Sequence, residues 1–332
     1  MIKYYVNHAC GQCGVERGTT MDPITHAAIG AGVFALSGGD ISLAEPALIG
    51  CIVGSVAPDL DIAAKVYNDY YYLKYHRGSS HSFVGILLMS FFLTAVLNFF
   101  YSSSFFSLFI WTFVGGLTHI LFDFLNSYGA QLLWPISRKK YSLSLLKIFD
   151  IVIILLGISA IIYGKGNVLI KGGITTAFGL YVVLLGIMRN LAKQKVSDFY
   201  KGRVEVKSIK VLPAFLGFFD WDFVMMSQKH TVVGSVDLLR GRIMICERLS
   251  RQQKKEAKKF INNRVAGFFK EFTPIYHVKV KKSKGMTEVL YTDLRYRTRN
   301  SFMHHATAVF NPKGMLVECI FHPFNKNKRV PF

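Results

Sequence analysis

Five short polar patches interrupt a strongly apolar stretch of this chain. They are residues 22–26 (DPITH), 58–61 (PDLD), 76–82 (HRGSSHS), 119–123 (HILFD) and 128–129 (YG). Ionisable groups at membrane depth are costly, so several together point to a functional site. Histidine and aspartate are also ligands that hold a catalytic divalent metal. His119 and Asp123 are four residues apart on a predicted helix, which puts both side chains on one face. They could share a metal, or form a hydrogen-bonded structural pair; metal is the reading the other patches favour.

The remaining patches each carry two readings. In PDLD, Asp59 or Asp61 could ligate a metal while the other takes a proton from water, or the segment could simply end a helix. His76 and His81 bracket Arg77, which suits a phosphate or carboxylate. Ser80 or Ser82 could cap the helix that follows. Asp22 before Pro23 reads as a helix start, and His26 then lies one turn in, as a ligand or as a core histidine. Tyr128 could line the rim or supply a hydroxyl, and Asp150 could pair with Arg138 or Lys147 or support the ligands from behind. His230, His277, His304, His305 and His322 show no ligand spacing. No GxSxG elbow, phosphate-binding GKS/T loop or HExxH motif occurs, which disfavours serine-hydrolase, NTPase and zincin chemistry.

These patches must be positioned by two unlike halves. The chain has 332 residues, is 51% hydrophobic with 28 Phe, and carries a formal charge of +20. Residues 21–188 are apolar, whereas 189–332 hold most of the Lys and Arg. A membrane helix needs ~20 apolar residues. Residues 83–101, 105–125, 148–164 and 168–188 qualify, and 24–37 and 46–58 are shorter, Gly- and Ala-rich candidates. If all six cross, every candidate ligand falls on one membrane face, together with nearly all the positive charge. The positive-inside rule makes that face cytoplasmic. The expected fold is mainly α: a polytopic bundle of about four to six spans, with a C-terminal soluble α+β domain. In the latter, 203–212, 221–239, 272–282, 286–297 and 306–321 read as strands and 250–270 as a basic-faced helix. Its charge suits anionic headgroups; specific nucleic acid is not expected. Residues 1–20 read as a disordered extension or misassigned start. Their Cys10–Cys13 pair alone cannot fill a zinc site.

The motifs MDPITH, PDLD, HRGSSHS, HILFD and YG…WPISRKKYSL occur in the order seen in bacterial membrane-bound metal-dependent hydrolases. Over residues 21–155 the chain resembles that family, which includes the LexA-regulated (YdjM-type) inner-membrane proteins. Residues 213–241 resemble the start of its soluble tail. Ser80 stands where the family has Thr, and Ile136 where it has Phe. More distantly, His26, Asp59, His81, His119 and Asp123 are similar to ligands of the zinc-dependent phospholipase C fold. The further HxxxE ligand motif of that fold is absent, which favours one or two ions over three. The resemblance implies a membrane-bound hydrolase that uses zinc held by those five residues. Asp61 would be its general base, and His76 and Arg77 would hold the leaving group. The expected substrate is a phosphate ester or phospholipid at the cytoplasmic face. A transporter, or a regulatory membrane protein with a structural metal, is the alternative.

Overall fold

The structure is a computed structural model that describes residues 23–215, 217–251, 260–297, 302–324 and 326–331. The expected extension 1–20, the cap at Asp22 and residues 252–259 of the basic helix lie outside the described residues. The chain divides into two compact units. One holds 23–64 and 75–186; the other holds 65–74 and 187–331.

The first unit is helical: α1 (Pro23–Leu36), α2 (Pro46–Val56), a 3-10 helix (Ala57–Val66) running out of α2, α4 (Phe83–Phe100), α5 (Phe105–Leu125), α6 (Ile151–Tyr163) and the start of α7 (Val168–Tyr200). A short α3 (Asp69–Tyr75) lies between α2 and α4. Among the described residues, four helices are long and apolar enough to cross a membrane: Pro46–Ala63, Phe83–Phe100, Phe105–Leu125 and Val168–Tyr200. α6 is shorter than the expected 148–164. Asp150 stops it by accepting the Val152 and Ile153 amides at 3.2 and 3.4 Å, and Tyr181 donates its hydroxyl to the same carboxylate at 2.9 Å. Asp150 is thus a cap rather than a partner of Arg138 or Lys147.

Helix α4 turns most of its large apolar side chains outward, whereas α1 and α2 pack an apolar core of Phe34, Leu48 and Cys51. α4 buries Ile86, Ser90 and Thr94 while Leu88, Phe91, Phe92, Phe99 and Phe100 face outward. In water this would be an aggregating surface; lipid makes it favourable, because tails solvate Phe and Leu and leave small residues to pack. α2 and α5 meet on glycine. A Cβ on Gly54 would lie 2.0 Å from the Thr112 carbonyl oxygen, and one on Gly115 2.0 Å from that of Cys51. No side chain fits there without separating the helices. Gly54→Ala and Gly115→Ala should therefore each cost about 1–3 kcal/mol, read as a lower unfolding midpoint in detergent. Unchanged midpoints would show that the two backbones are not in contact.

The second unit contains two antiparallel sheets. β1 (Val206–Pro213), β2 (Asp220–Ser227), β3 (His230–Asp237) and β4 (Arg242–Ser250) form one in sequential order. β5 (Tyr276–Ser283), β6 (Met286–Asp293), β7 (His305–Phe310), β8 (Leu316–His322) and β9 (Val330–Pro331) form the other. The expected single strands 221–239 and 306–321 each prove to be a hairpin, and β4 was not foreseen. The turns are polar, Gln228-Lys229 in the first and Asn311-Pro312-Lys313-Gly314 in the second, and interrupt β-rich stretches on both sides. Helix α8 (Arg264–Phe272) puts Phe268, Phe269 and Phe272 into this unit's core. Tyr70 of α3 packs on Phe268 and Phe321, and Asp69 pairs with Lys328. Segment 65–74 thus belongs to this unit although its neighbours on both sides belong to the other.

Candidate metal centre

Each patch is delivered by the end of an element. His26 lies in the first turn of α1, Asp59 and Asp61 in the 3-10 continuation of α2, and His81 just before α4. His119 and Asp123 lie in the last two turns of α5. Ser82 caps α4 by accepting the Gly85 amide at 2.9 Å. His26, His81, His119 and Asp123 are fully buried, and Asp59 nearly so.

A backbone hydrogen bond fixes which ring nitrogen of His119 is bare. His119 Nδ1 lies 2.7 Å from the Ser55 carbonyl oxygen. A carbonyl only accepts, so Nδ1 carries the proton and Nε2 presents a lone pair. Ser80 Oγ lies 3.5 Å from Asp61 Oδ2 and 3.0 Å from His81 Nδ1; with its hydrogen on Asp61 it accepts from Nδ1, the tautomer in which His81 Nε2 is bare as well. The two bare nitrogens face each other at 3.1 Å. Two lone pairs at that distance repel unless a cation lies between them. Orienting partners on the far nitrogen are the usual device of a metal-ligating histidine.

Two carboxylate oxygens complete the cluster. Asp59 Oδ1 is 3.5 Å from His81 Nε2 and 3.7 Å from His119 Nε2. Asp123 Oδ2 is 3.3 and 3.7 Å from the same atoms. Five edges of a four-atom figure thus span 3.1–3.7 Å. A tetrahedral zinc with bonds near 2.1 Å sets its ligands about 3.3–3.5 Å apart. Asp59 Oδ1 and Asp123 Oδ2 have no hydrogen-bond donor. Leaving buried carboxylate oxygens so is expensive unless a cation neutralises them. The residues fit a divalent metal.

His26 stacks on His119 with ring centroids 3.8 Å apart, and neither of its nitrogens has a hydrogen-bond partner. It forms a second possible ligand group with His119 and Asp123. A third combines Asp59, Asp61 and His76. The second group shares His119 and Asp123 with the four-atom cluster, and the third shares Asp59 with it; the second and third have no residue in common.

Around this core, Asp61 accepts from His76 Nδ1 at 2.8 Å and from the Arg77 amide at 3.1 Å. Arg77 adopts a left-handed backbone (φ 58°), which lets its amide face Asp61 while its guanidinium reaches Asp123 Oδ1 at 2.6 Å. The guanidinium is buried, 5.2 Å from the Tyr128 ring centre. Burial, and Arg77 beside it, push His76 down to about 3, so that its ring is neutral at physiological pH. Burial lowers His81 too.

The family profile described as YdjM inner membrane protein matches residues 21–195. The chain belongs to the YdjM inner membrane protein family. A profile described as the YfhP C-terminal alpha/beta plait domain matches 256–330. The chain is 31% identical over 302 residues to the uncharacterized protein YfhP of Bacillus subtilis (strain 168), covering 85% of this chain and 89% of that protein. No solved structure matches.

The YdjM match contains all eight candidate residues: His26, Asp59, Asp61, His76, Arg77, His81, His119 and Asp123. The fold brings all eight into one cluster, although they span 98 positions of sequence (26 to 123, inclusive). The Ser55 carbonyl was missed because a backbone acceptor carries no side-chain signal. Lys140, read only for its charge, donates to the His76 carbonyl at 2.9 Å. Tyr128 is buried under Arg77 rather than placed at a rim.

Proposed function

We propose that this YdjM-family protein is a metal-dependent hydrolase of the membrane interface. The four convergent ligand atoms of His81, His119, Asp59 and Asp123 carry the reading. A divalent metal bound there, zinc by ligand chemistry, would supply Lewis acidity and lower the pKa of water toward ~7. His26 would serve the same ion or a second one. Asp61 would take the proton, with His76 holding its carboxylate in place. Arg77 would balance charge at Asp123 and at a phosphate. The charge distribution supports a cytoplasmic site and C-terminal domain.

A lipid ester suits the site better than a soluble one. An apolar cavity of about 190 Å³ lies within the first unit, lined by Ile29, Val33, Leu121, Phe122, Ile153 and Phe178 among others. Ile29 and Phe122 each follow a site histidine by three residues, so the cavity begins about one turn from His26 and His119. Apolar cavities of 150 Å³ already take up benzene. An acyl chain seated there would leave its ester at the metal.

The test is hydrolysis by the protein purified into nanodiscs and loaded with zinc or manganese. Metal-dependent release of a lipid phosphate headgroup, faster than cleavage of a soluble chromogenic phosphodiester and abolished by chelation, is expected. Bound metal with no ester cleaved would instead indicate a structural ion in a transporter or regulator.

A further inference from the structure

The chain that follows α5 closes into a hairpin whose apolar tip the hydrolase reading does not use. The backbones of Ala130 and Tyr141 pair at 3.1 and 2.9 Å, and residues 131–140 form the tip between them. The tip is one tight turn. The Trp134 amide donates to the Gln131 carbonyl at 3.1 Å, and the Ser137 amide to that of Leu133 at 3.0 Å. Ile136 is 93% exposed and Leu133 45%, with Trp134 half-buried between them. Arg138 and Lys139 follow directly, both exposed. An isoleucine so bare is costly in water and favourable against lipid.

Two spanning helices fix the level of this hairpin, and all three elements belong to one compact unit. α4 has 18 residues. At 1.5 Å per residue it is about 27 Å long, close to the ~30 Å hydrocarbon core of a bilayer. Its first residue, Phe83, therefore stands where acyl chains meet headgroups. The Phe83 amide donates to the Leu132 carbonyl at 3.2 Å, which holds the tip at that boundary. Behind the hairpin, the Leu125 carbonyl at the end of α5 accepts the Leu145 and Leu146 amides at 2.8 and 3.0 Å. Leu133 to Ile136 lie within one turn of Leu132, about 5–6 Å. A headgroup layer is about 5–8 Å deep on each side of the core, so the tip stays within its reach.

We propose that Leu133, Trp134 and Ile136 insert into the headgroup–acyl boundary of the protein's own bilayer, with Arg138 and Lys139 on anionic headgroups. Tryptophan at the boundary and basic residues just outside it are the composition of interfacial anchors. The hairpin is also tied to the candidate metal centre. The Gln131 amide donates to the Arg77 carbonyl at 3.2 Å, and Lys140 Nζ to the His76 carbonyl at 2.9 Å. The anchor thus holds the segment that carries His76 and Arg77 at the membrane surface. It requires no hydrolase activity.

The test uses Ile136→Trp and, separately, Leu133→Trp in the full-length protein, in nanodiscs holding one copy each. Emission is compared with wild type, whose three tryptophans set the background. Ile136 is almost fully exposed, so its replacement leaves folding intact. The added emission should be blue-shifted, and quenched by lipids brominated on the upper acyl chain, more strongly with anionic lipid. Replacing Arg138 and Lys139 by Glu in the Ile136→Trp variant should remove the dependence on anionic lipid. Added emission at the wavelength of a hydrated indole, unaffected by bromine in both variants, overturns the anchor. A blue shift without quenching overturns it too, because the indole is then covered by protein. Protection in native membranes but not in nanodiscs overturns it in favour of a protein partner.

Discussion

The wild type should purify with a divalent metal, and His119→Ala and Asp123→Ala should each purify without it. Each residue contributes to the four-atom cluster, and each also belongs to the group with His26. Loss of an orienting partner alone typically costs 10–100-fold in metal affinity, so loss of a ligand should cost more. The measurement is metal content by mass spectrometry after dialysis, beside His230→Ala, an exposed histidine of the second unit. If both variants keep wild-type metal while His230→Ala behaves the same, the cluster is not the metal centre. The converse control matters as well. Removing the metal from the wild type should lower its unfolding midpoint, because a ligand bound only by the folded state stabilises it and Asp59 Oδ1 and Asp123 Oδ2 have no hydrogen-bond partner of their own.

Asp61→Asn should keep the metal and lose turnover. The amide keeps the size of the carboxylate and still accepts hydrogen bonds from His76 and the Arg77 amide. It does not take a proton. A positioned general base contributes about 10²–10⁴-fold, so kcat for a lipid phosphodiester should fall by that factor with KM little changed. Metal stoichiometry separates the possible outcomes. A fall from two ions to one would assign Asp61 to the group with Asp59 and His76, as a ligand. Unchanged stoichiometry with unchanged kcat would leave it only the task of holding residues 61–80 together.

Much of the first unit was legible in sequence because lipid imposes a simple rule: apolar runs of about twenty residues become helices. The runs 83–101 and 105–125 appear as α4 and α5 within a residue of the expected ends. The rule worked less well where capping intervened, as at Asp150. It also missed the continuation of α2 into the 3-10 turn that presents Asp59 and Asp61. The second unit was harder. Period-two alternation identifies strands but not where a short polar turn divides a β-rich stretch, so two hairpins, with turns at 228–229 and 311–315, each read as one segment. Nothing in residues 65–74 announces that they pack with a sheet assembled more than two hundred residues later.

The sequence by itself determined the ligand types and their order along the chain, the two-part architecture and the asymmetry of charge. These are local properties: a charge inside an apolar run is as visible in a string as in a fold. Only the tertiary structure decided that His81 and His119 turn bare nitrogens toward each other, that Asp59 and Asp123 close the figure, and that Arg77 lies on Asp123. Those facts depend on which far-off group holds the opposite side of each ring. The Ser55 carbonyl, 64 residues from His119, holds one of them. Such pairings are set by helices that close on glycine, a property of the packed bundle rather than of any one segment.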